Sequence, residues 1–413
     1  MPIPRREVDI SSAAERLKAR IGTSKWCRLR DRVTKVNHDI ITRGIIPWER
    51  TTLLTGYSYG EFYDWDLYFE NLYLSHFGES RYCRNNVEAF LDQQLACGFV
   101  ARTLVNPRLR QHFKPFLCQI ALLGCRQTGD YRWLSGRYWE RLKKHLGYWL
   151  WYSDFDRNGL PVWDSADHSG MDNQDRRAGK INAMEIEGVD LACYLVRECE
   201  AMAVLAGRVG HEDETGCWTA SAERLRSLID EVLWDDQDGF YYDRNERTGE
   251  LVRVKAVSGF IPLWLGGVAE KRAKRLVAEH LLDEGEFWLP YPVATWAKTE
   301  PDYYQESARG ECNWRGPTWV PTNYMIFHGL VKSGHRDVAG ELAYRTLDMA
   351  LSGPDTREYY NAETGCGQGL NPFWGWSALA YVMPLEYEAE YDPTDVGCEE
   401  VVPLAATALG IEL

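Results

Sequence analysis

The segment EIEGVDLACYLVRECEAMAVLAGR, residues 185–208, spaces its apolar side chains three and four apart, which puts them on one face of a helix. It is the longest of about twelve such segments. The others lie at roughly 11–22, 66–78, 84–96, 114–127, 131–153, 216–235, 257–266, 269–282, 318–333, 336–351 and 374–385. Strand signals are sparse. The clearest is GFYYDRNERTGELVRV, 239–254, where alternating residues flank a turn-rich centre and predict a hairpin.

Twelve helices pair into six hairpins, and an all-α chain can bury these as a toroid of two rings or as a solenoid. No 34- or 40-residue repeat of the solenoid type is visible. Long connections rich in Gly, Pro and aromatics fall at 40–65, 97–113, 155–184, 286–317 and 354–373. Long loops of this kind are usually functional. In a toroid, alternate loops meet at one mouth, so these five are expected to build a pocket there. No low-complexity linker divides the chain, which predicts one compact domain over 1–413 with a short N-terminal arm or helix at 1–25.

The composition, with 45% hydrophobic and 26% charged residues, is that of an ordinary globular protein able to bury a large core. The 17 Trp and 23 Tyr stand out, as either heavy core packing or a cleft for flat, partly apolar ligands such as sugar rings. A net charge of −14 argues against nucleic acid or an anionic membrane as partner. The 11 Cys are odd in number and form no CxxC pair, as expected of free thiols in a reducing compartment. The polar N-terminus MPIPRREVDI has no apolar signal core, so a cytoplasmic location is expected. The 9 His show no ligand spacing, and no Gly-rich phosphate loop occurs. SDFDRNGLPVWD, 153–164, begins with calcium-loop spacing at Asp154, Asp156, Asn158 and Gly159, but Ser165 stands where the bidentate Glu belongs, which favours a plain turn. No metal and no cofactor is implied.

Two stretches carry candidate chemistry. GMDNQDR, 170–176, and REYYNAETGCGQGLNPFWGWS, 357–377, set Asp172 and Glu358 among Gly, Asn, Tyr and Trp. Cleavage of a glycosidic bond needs one protonated carboxyl and one ionised one in such a pocket. Asp164, Asp167 and Asp175 rival Asp172, and Glu363 rivals Glu358, although turns and caps are the ordinary use of such acids. Asp66, in YDWDLYF, suits paired sugar hydroxyls or a helix N-cap, and Trp65 beside it suits stacking on a ring. Trp314, Trp319, Trp374 and Trp376 are divided between subsites and core. Arg315 could clasp a carboxylate, fix Glu358 or serve a structural ion pair. Tyr59 and Asn173 complete the expected substrate-binding set.

Four elements in order resemble glycoside hydrolase family 63 and its relatives the trehalases. GEFYDWDLYF, 60–69, resembles their EFYxWDxY segment, and GMDNQDR resembles the stretch that carries the general acid. NWRGPTWVPTNY, 313–324, resembles WRGPxW, and EYYNAETGCGQGLNPFWGW, 358–376, resembles the stretch that supplies the general base. The resemblance covers roughly 60–385 and implies an (α/α)6 barrel, an inverting mechanism, Asp172 as acid and Glu358 as base. It is closest to the bacterial mannosylglycerate and glucosylglycerate hydrolases. The QWDxPxGW trehalase signature is missing, while Asn313 and Asp175 replace residues common in the family and bear on the sugar subsites.

The expected partner is a small α-glycoside with a short anionic aglycone such as glycerate, with Arg315, Arg176, Arg177 and Lys180 as candidate cations. A solvated basic turn at 176–180, a neutral disaccharide as in trehalases, and a silent carbohydrate-binding toroid stay open. An epimerase would want a His base, and none lies in these motifs. The sequence leaves homo-oligomer formation open.

Overall fold

The computed structural model describes residues 8–56, 60–174, 185–306 and 312–413. Fourteen α-helices among these follow one another as α1 (Ile10–Ile21), α2 (Thr23–Asp39), α3 (Asp64–Ser75), α4 (Arg81–Asp92), α5 (Leu117–Thr128), α6 (Arg137–Gly147), α7 (Val189–Val209), α8 (Thr215–Val232), α9 (Pro262–Leu265), α10 (Glu270–Arg275), α11 (Val320–Lys332), α12 (Arg336–Ser352), α13 (Met383–Ala389) and α14 (Leu404–Leu409). A 3-10 segment, Trp376–Tyr381, precedes α13. In sequence, α3, α5, α7, α9, α11 and that 3-10 segment alternate with α2, α4, α6, α8, α10 and α12. Each of the first set packs on the next, and the 3-10 segment packs back on α3, which closes an inner ring. The fold is an (α/α)6 toroid.

Burial explains which helix goes where. Every residue of α3 is buried, as are residues 117–125 of α5 and 320–330 of α11, because inner helices meet protein on all sides. Outer helices keep one stripe. On α6 only Tyr138, Trp139, Leu142, His145 and Leu146 are buried.

The connections that lead into the inner ring are long, at 40–63, 93–116, 153–188, 233–256, 282–319 and 353–375, and their described residues gather at one mouth. Those that leave it are short. The five loops expected from sequence are here, and the remaining connection, 233–256, carries the expected hairpin, with Asp243–Asn245 antiparallel to Leu251–Val252. Backbone pairing stitches the rim into a belt. Tyr63 pairs with Thr103, Ala256 with Trp296 and Thr318 with Tyr360, while Ile186–Glu187 pairs with Arg244–Asn245. The second loop is tied to the third by His112 N–H on Asp164 (3.0 Å) and Gln111 on Asp167 (2.8 Å). The sixth is tied to the first by Gly375 N–H on the Gly56 carbonyl (3.1 Å) and the Trp374 indole N–H on the Thr55 carbonyl (3.1 Å).

At the N-terminal end the described residues form the helix α1; Gly22, at φ 79°, ends it, and α2 follows at once, burying Trp26, Leu29, Val33 and Val36. One expectation needs correction. The segment 131–153 is broken at Gly136 (φ 72°) into a 3-10 turn, Arg132–Leu134, and α6. Among the described residues no helix is long and apolar enough to cross a membrane.

Inner helices approach closely at Gly329 of α11, where an added Cβ would lie 2.7 Å from Leu263 Cβ of α9. Gly329→Ala gains about 1 kcal/mol of helix propensity but overpacks the ring, which costs about 1–3 kcal/mol. The expected outcome is a lower thermal midpoint in calorimetry; an unchanged or raised midpoint would show that the α9–α11 contact yields freely.

Candidate active site

Asp172 sits on a short loop after the 3-10 turn Ala166–Ser169. Gly170 turns the chain with φ 85°, and a Cβ there would lie 2.8 Å from the Trp65 ring, so only glycine lets the loop settle on the indole. The next two residues lock the loop to the segment 313–315. Asn173 accepts Trp314 N–H (2.7 Å) and donates to Asn313 Oδ1 (3.1 Å) and Tyr304 Oη (2.7 Å). Gln174 donates to the carbonyls of Trp314 (2.7 Å) and Thr295 (2.8 Å). Asp172 is thereby held by its neighbours, and its own side chain keeps 42% of its surface open.

Glu358 lies on the sixth rim loop and is buried. Its Oε2 accepts Leu370 N–H at 2.8 Å, and its Oε1 takes the Cys312 thiol at 3.5 Å. Its backbone carbonyl accepts the Trp376 indole N–H (3.2 Å) and the Ser377 hydroxyl (3.1 Å). Burial pushes the carboxyl's pKa up, the Leu370 and Cys312 donors oppose this, and the charge of Asp172 raises it further. The two carboxyls therefore sense one another. Burial also raises Asp172, against the pull of Arg102 and Lys114.

Asp66, at the third position of α3, is not an N-cap; Tyr63 holds that place. Desolvation raises its pKa, with Lys114 and Arg102 opposing and Asp172 adding to the rise. Lys114 is fully buried against Asp64 (2.8 Å), and burial lowers its pKa. Arg102 is buried, donates to the Asp167 carbonyl (2.9 Å) and stands 3.7 Å from Asp172 and 3.9 Å from Asp64. Asp66 and Asp172 thus share the pull of Lys114 and Arg102, with Arg108 also acting on Asp172, and in both it is desolvation that outweighs the cations and holds the pKa up. Arg102, Lys114 and Cys312 were not singled out by sequence. The only available signal was a lone Lys in the apolar run FKPFL, 113–117.

The tryptophans form a floor. Trp65 packs on Trp314 (5.8 Å between centroids) and Trp376 (5.8 Å), and Trp314 stacks on Trp319 at 3.8 Å. Trp319 stacks behind Trp314, and Trp374 is buried with its indole N–H on the Thr55 carbonyl. Arg315 does not fix Glu358. Its Nε donates to the Asn173 carbonyl (2.6 Å) and its guanidinium lies 3.8 Å from Asp302, so it braces the acid loop. Asn313 is fully buried in the same clamp and belongs to no sugar subsite. The rival acids serve the framework: Asp164 and Asp167 accept His112 N–H and Gln111, and Glu363 pairs with Lys298 (3.0 Å) and Tyr303 (2.9 Å). Asp154 and Asp156 close an Asx-type turn by accepting Gly159 and Asn158 N–H. Tyr59, Asp175, Arg176, Arg177 and Lys180 lie outside the described residues.

Residues 59–377 match the mannosylglycerate hydrolase MGH1-like glycoside hydrolase domain. The chain belongs to this family. A mannosylglycerate hydrolase from Thermus thermophilus is 33% identical over 184 residues, 44% of this chain and 40% of that relative, so the match spans well under two thirds of the relative's length. A family 63 mannosylglycerate hydrolase from a second Thermus thermophilus strain, solved in complex with Tris and D-glycerate, superposes with TM-score 0.66 at 21% identity, covering 86% of this chain and 99% of that one. Neutral trehalase from Saccharomyces cerevisiae superposes with TM-score 0.61 at 17% identity, covering 86% and 80%. At these identities the superpositions speak to the fold.

Gly369, at φ 69°, walls the Glu358 carboxylate; a Cβ there would lie 2.4 Å from Oε2. Gly369→Ala is expected to displace that carboxylate and lower kcat/KM by about 100-fold or more, since small misplacements of a reacting group are that costly. Steady-state kinetics beside circular dichroism checks this, and turnover within twofold of the unsubstituted chain would refute it.

Proposed function

We propose that this chain hydrolyses a small α-glycoside with inversion at the anomeric carbon, Asp172 acting as general acid and Glu358 as general base. The observation that carries the reading is the unequal setting of two interacting carboxyls at one mouth. Glu358 has a donor on each oxygen, which suits the ionised form, while desolvation raises Asp172 against the pull of Arg102, Lys114 and Arg108, which suits a held proton. In the reaction Asp172 gives its proton to the glycosidic oxygen as the C1–O bond breaks. Glu358 takes a proton from the water that attacks C1 from the opposite face. The products are the free aglycone and a sugar of inverted configuration, and exchange with solvent resets both carboxyls.

Asp66 would accept hydroxyls of the sugar, whose ring would rest on the edge of the Trp65–Trp314–Trp376 floor. For the aglycone we infer a glycerate-type anion, supported by the family and by the mannosylglycerate hydrolases among its relatives. Asn173 and Arg315 act through the acid loop in this reading and make no ligand contact of their own. All eleven cysteines are free, which supports a reducing, cytoplasmic setting.

Asp172→Asn and Glu358→Gln should each lower kcat by about three orders of magnitude or more with folding intact. The pH–rate profile should be a bell. Activity is lost at low pH as Glu358 gains a proton and at high pH as Asp172 loses one, and both limbs lie above ordinary carboxylate values because both pKa values are raised. NMR of the first-formed sugar should show inversion; a retained anomer would demand a covalent intermediate instead. A glycosylglycerate should exceed the matching glycosylglycerol at least tenfold in kcat/KM, about 1.4 kcal/mol. Equal turnover, or preference for a neutral disaccharide, would place the anion reading in error and favour a trehalase-like one.

A further inference from the structure

Cys312 immediately precedes the clamp residues 313–315. Its Sγ lies 3.5 Å from Oε1 of Glu358, and it is close enough to feel the charges of Glu358, Asp172 and Asp66 together. It therefore stands between the two halves of the site. Its backbone is anchored by the next residue, Asn313, which is fully buried and bonded to Asn173, Tyr304 and Arg315 N–H. The other oxygen of Glu358 is held by Leu370 N–H, with Gly369 packed against it. We propose that the Cys312 thiol is a positioning residue for Glu358, holding Oε1 as Leu370 holds Oε2, so that the carboxylate keeps one orientation without losing its basicity. The proposal rests on the reading of Glu358 as the general base.

The choice of donor has a chemical reason. A thiol is a weak hydrogen-bond donor, much weaker than a hydroxyl. A strong donor on Oε1 would stabilise the ionised carboxylate and make it a poorer acceptor for the water proton. A missing donor would free the side chain and leave burial and the Asp172 charge to raise its pKa. The thiol orients the group at little cost in basicity. Burial and the neighbouring carboxylates push the Cys312 pKa far up, so the sulfur keeps its proton and stays a donor through the working pH range. The charged and titrating groups acting on Glu358 are Asp172, Arg357 and Cys312, and Asp66 acts on the thiol as well. Arg357 donates to the Gly369 carbonyl at 3.2 Å, so its charge stays in place when position 312 is changed.

The test is the acidic limb of the kcat/KM profile in three proteins, unsubstituted, Cys312→Ser and Cys312→Ala, on whichever α-glycoside the chain turns over. The expected order of the limb is Ala highest, Cys between and Ser lowest, with the Ala limb raised by about 0.5 pH unit or more. The Ala variant should lose about three- to tenfold in kcat with KM within twofold, and Ser should recover most of that loss below neutral pH. A purely structural role would move stability or KM and leave the three limbs together, and that result overturns the proposal. Inactive Glu358→Gln with coincident limbs defeats the positioning role alone, whereas an active Glu358→Gln defeats the base assignment on which it rests. An infrared comparison of the unsubstituted chain with Glu358→Gln reads the contact without changing Cys312: one S–H stretching band should move to higher frequency as the charged acceptor is lost. If no S–H band moves, the proposal is wrong even where the Cys312 variants fail to fold.

Discussion

The site hangs on the amide clamp between residues 173–174 and 313–315. Asn173 both donates and accepts across this seam, Gln174 donates to two carbonyls, and Arg315 returns a charged donor to the Asn173 carbonyl. A single buried hydrogen bond is worth only about 0.5–1.5 kcal/mol, but breaking one leaves its partner unsatisfied at about 1–3 kcal/mol. A mutually satisfied set therefore has one arrangement and no cheap intermediate. That constraint fixes the loop that bears Asp172, whose Gly170 rests against the Trp65 ring. It also carries Cys312, and with it one side of Glu358, so both carboxyls are referred to the same seam.

The segment GEFYDWD shows how densely a rim can be built. Glu61 accepts Phe62, Leu104, Val105 and Asn106 N–H, ordering the second loop. Tyr63 pairs with Thr103, and Asp64 holds Lys114. Trp65 is floor, and Asp66 faces the site. Residues 61–64 serve the loops and residues 65–66 the pocket, as the chain passes here from extended rim into the first turn of α3. One peptide thus couples loop order to electrostatics: Asp64 fixes the cation that Asp66 and Asp172 both feel.

Apolar spacing in the sequence was enough to read the rings, and the length of alternate connections was enough to place the mouth. What escaped had a polar cause. The helix α2 is crowded with Arg and Lys, and it docks partly through Arg32, which donates to the Ala350 carbonyl (2.9 Å) and the Tyr381 hydroxyl (3.0 Å); no hydrophobic period encodes such a contact. The candidate acids were legible because they stand in unusual loops. Their counter-charges were not, because Arg102 and Lys114 reach them across a fold and an isolated cation carries no mark of its partner. Arg315 shows the same limit from the other side. Its aromatic setting suggested a ligand, yet its acceptor is a backbone carbonyl 142 residues away. Nor can residue type say how the tryptophans stack on one another, Trp314 on Trp319 and Trp65 on both Trp314 and Trp376.

The division of labour between helices and belt has a consequence for how such a site can change. Asp66 is on a fully buried helix, and moving it means repacking the inner ring, where density leaves little slack. Asp172 and Glu358 are on loops, but each is pinned by bonds to a neighbouring loop, so the belt gives them the fixity that a helix gives Asp66. Loop segments outside those bonds carry no such load. Under the proposed function, the aglycone end of the pocket can therefore be rebuilt by substitution or insertion in the rim while Asp66, Asp172 and Glu358 stay put. This is how one toroid can hold a constant cleavage chemistry beneath a variable choice of leaving group.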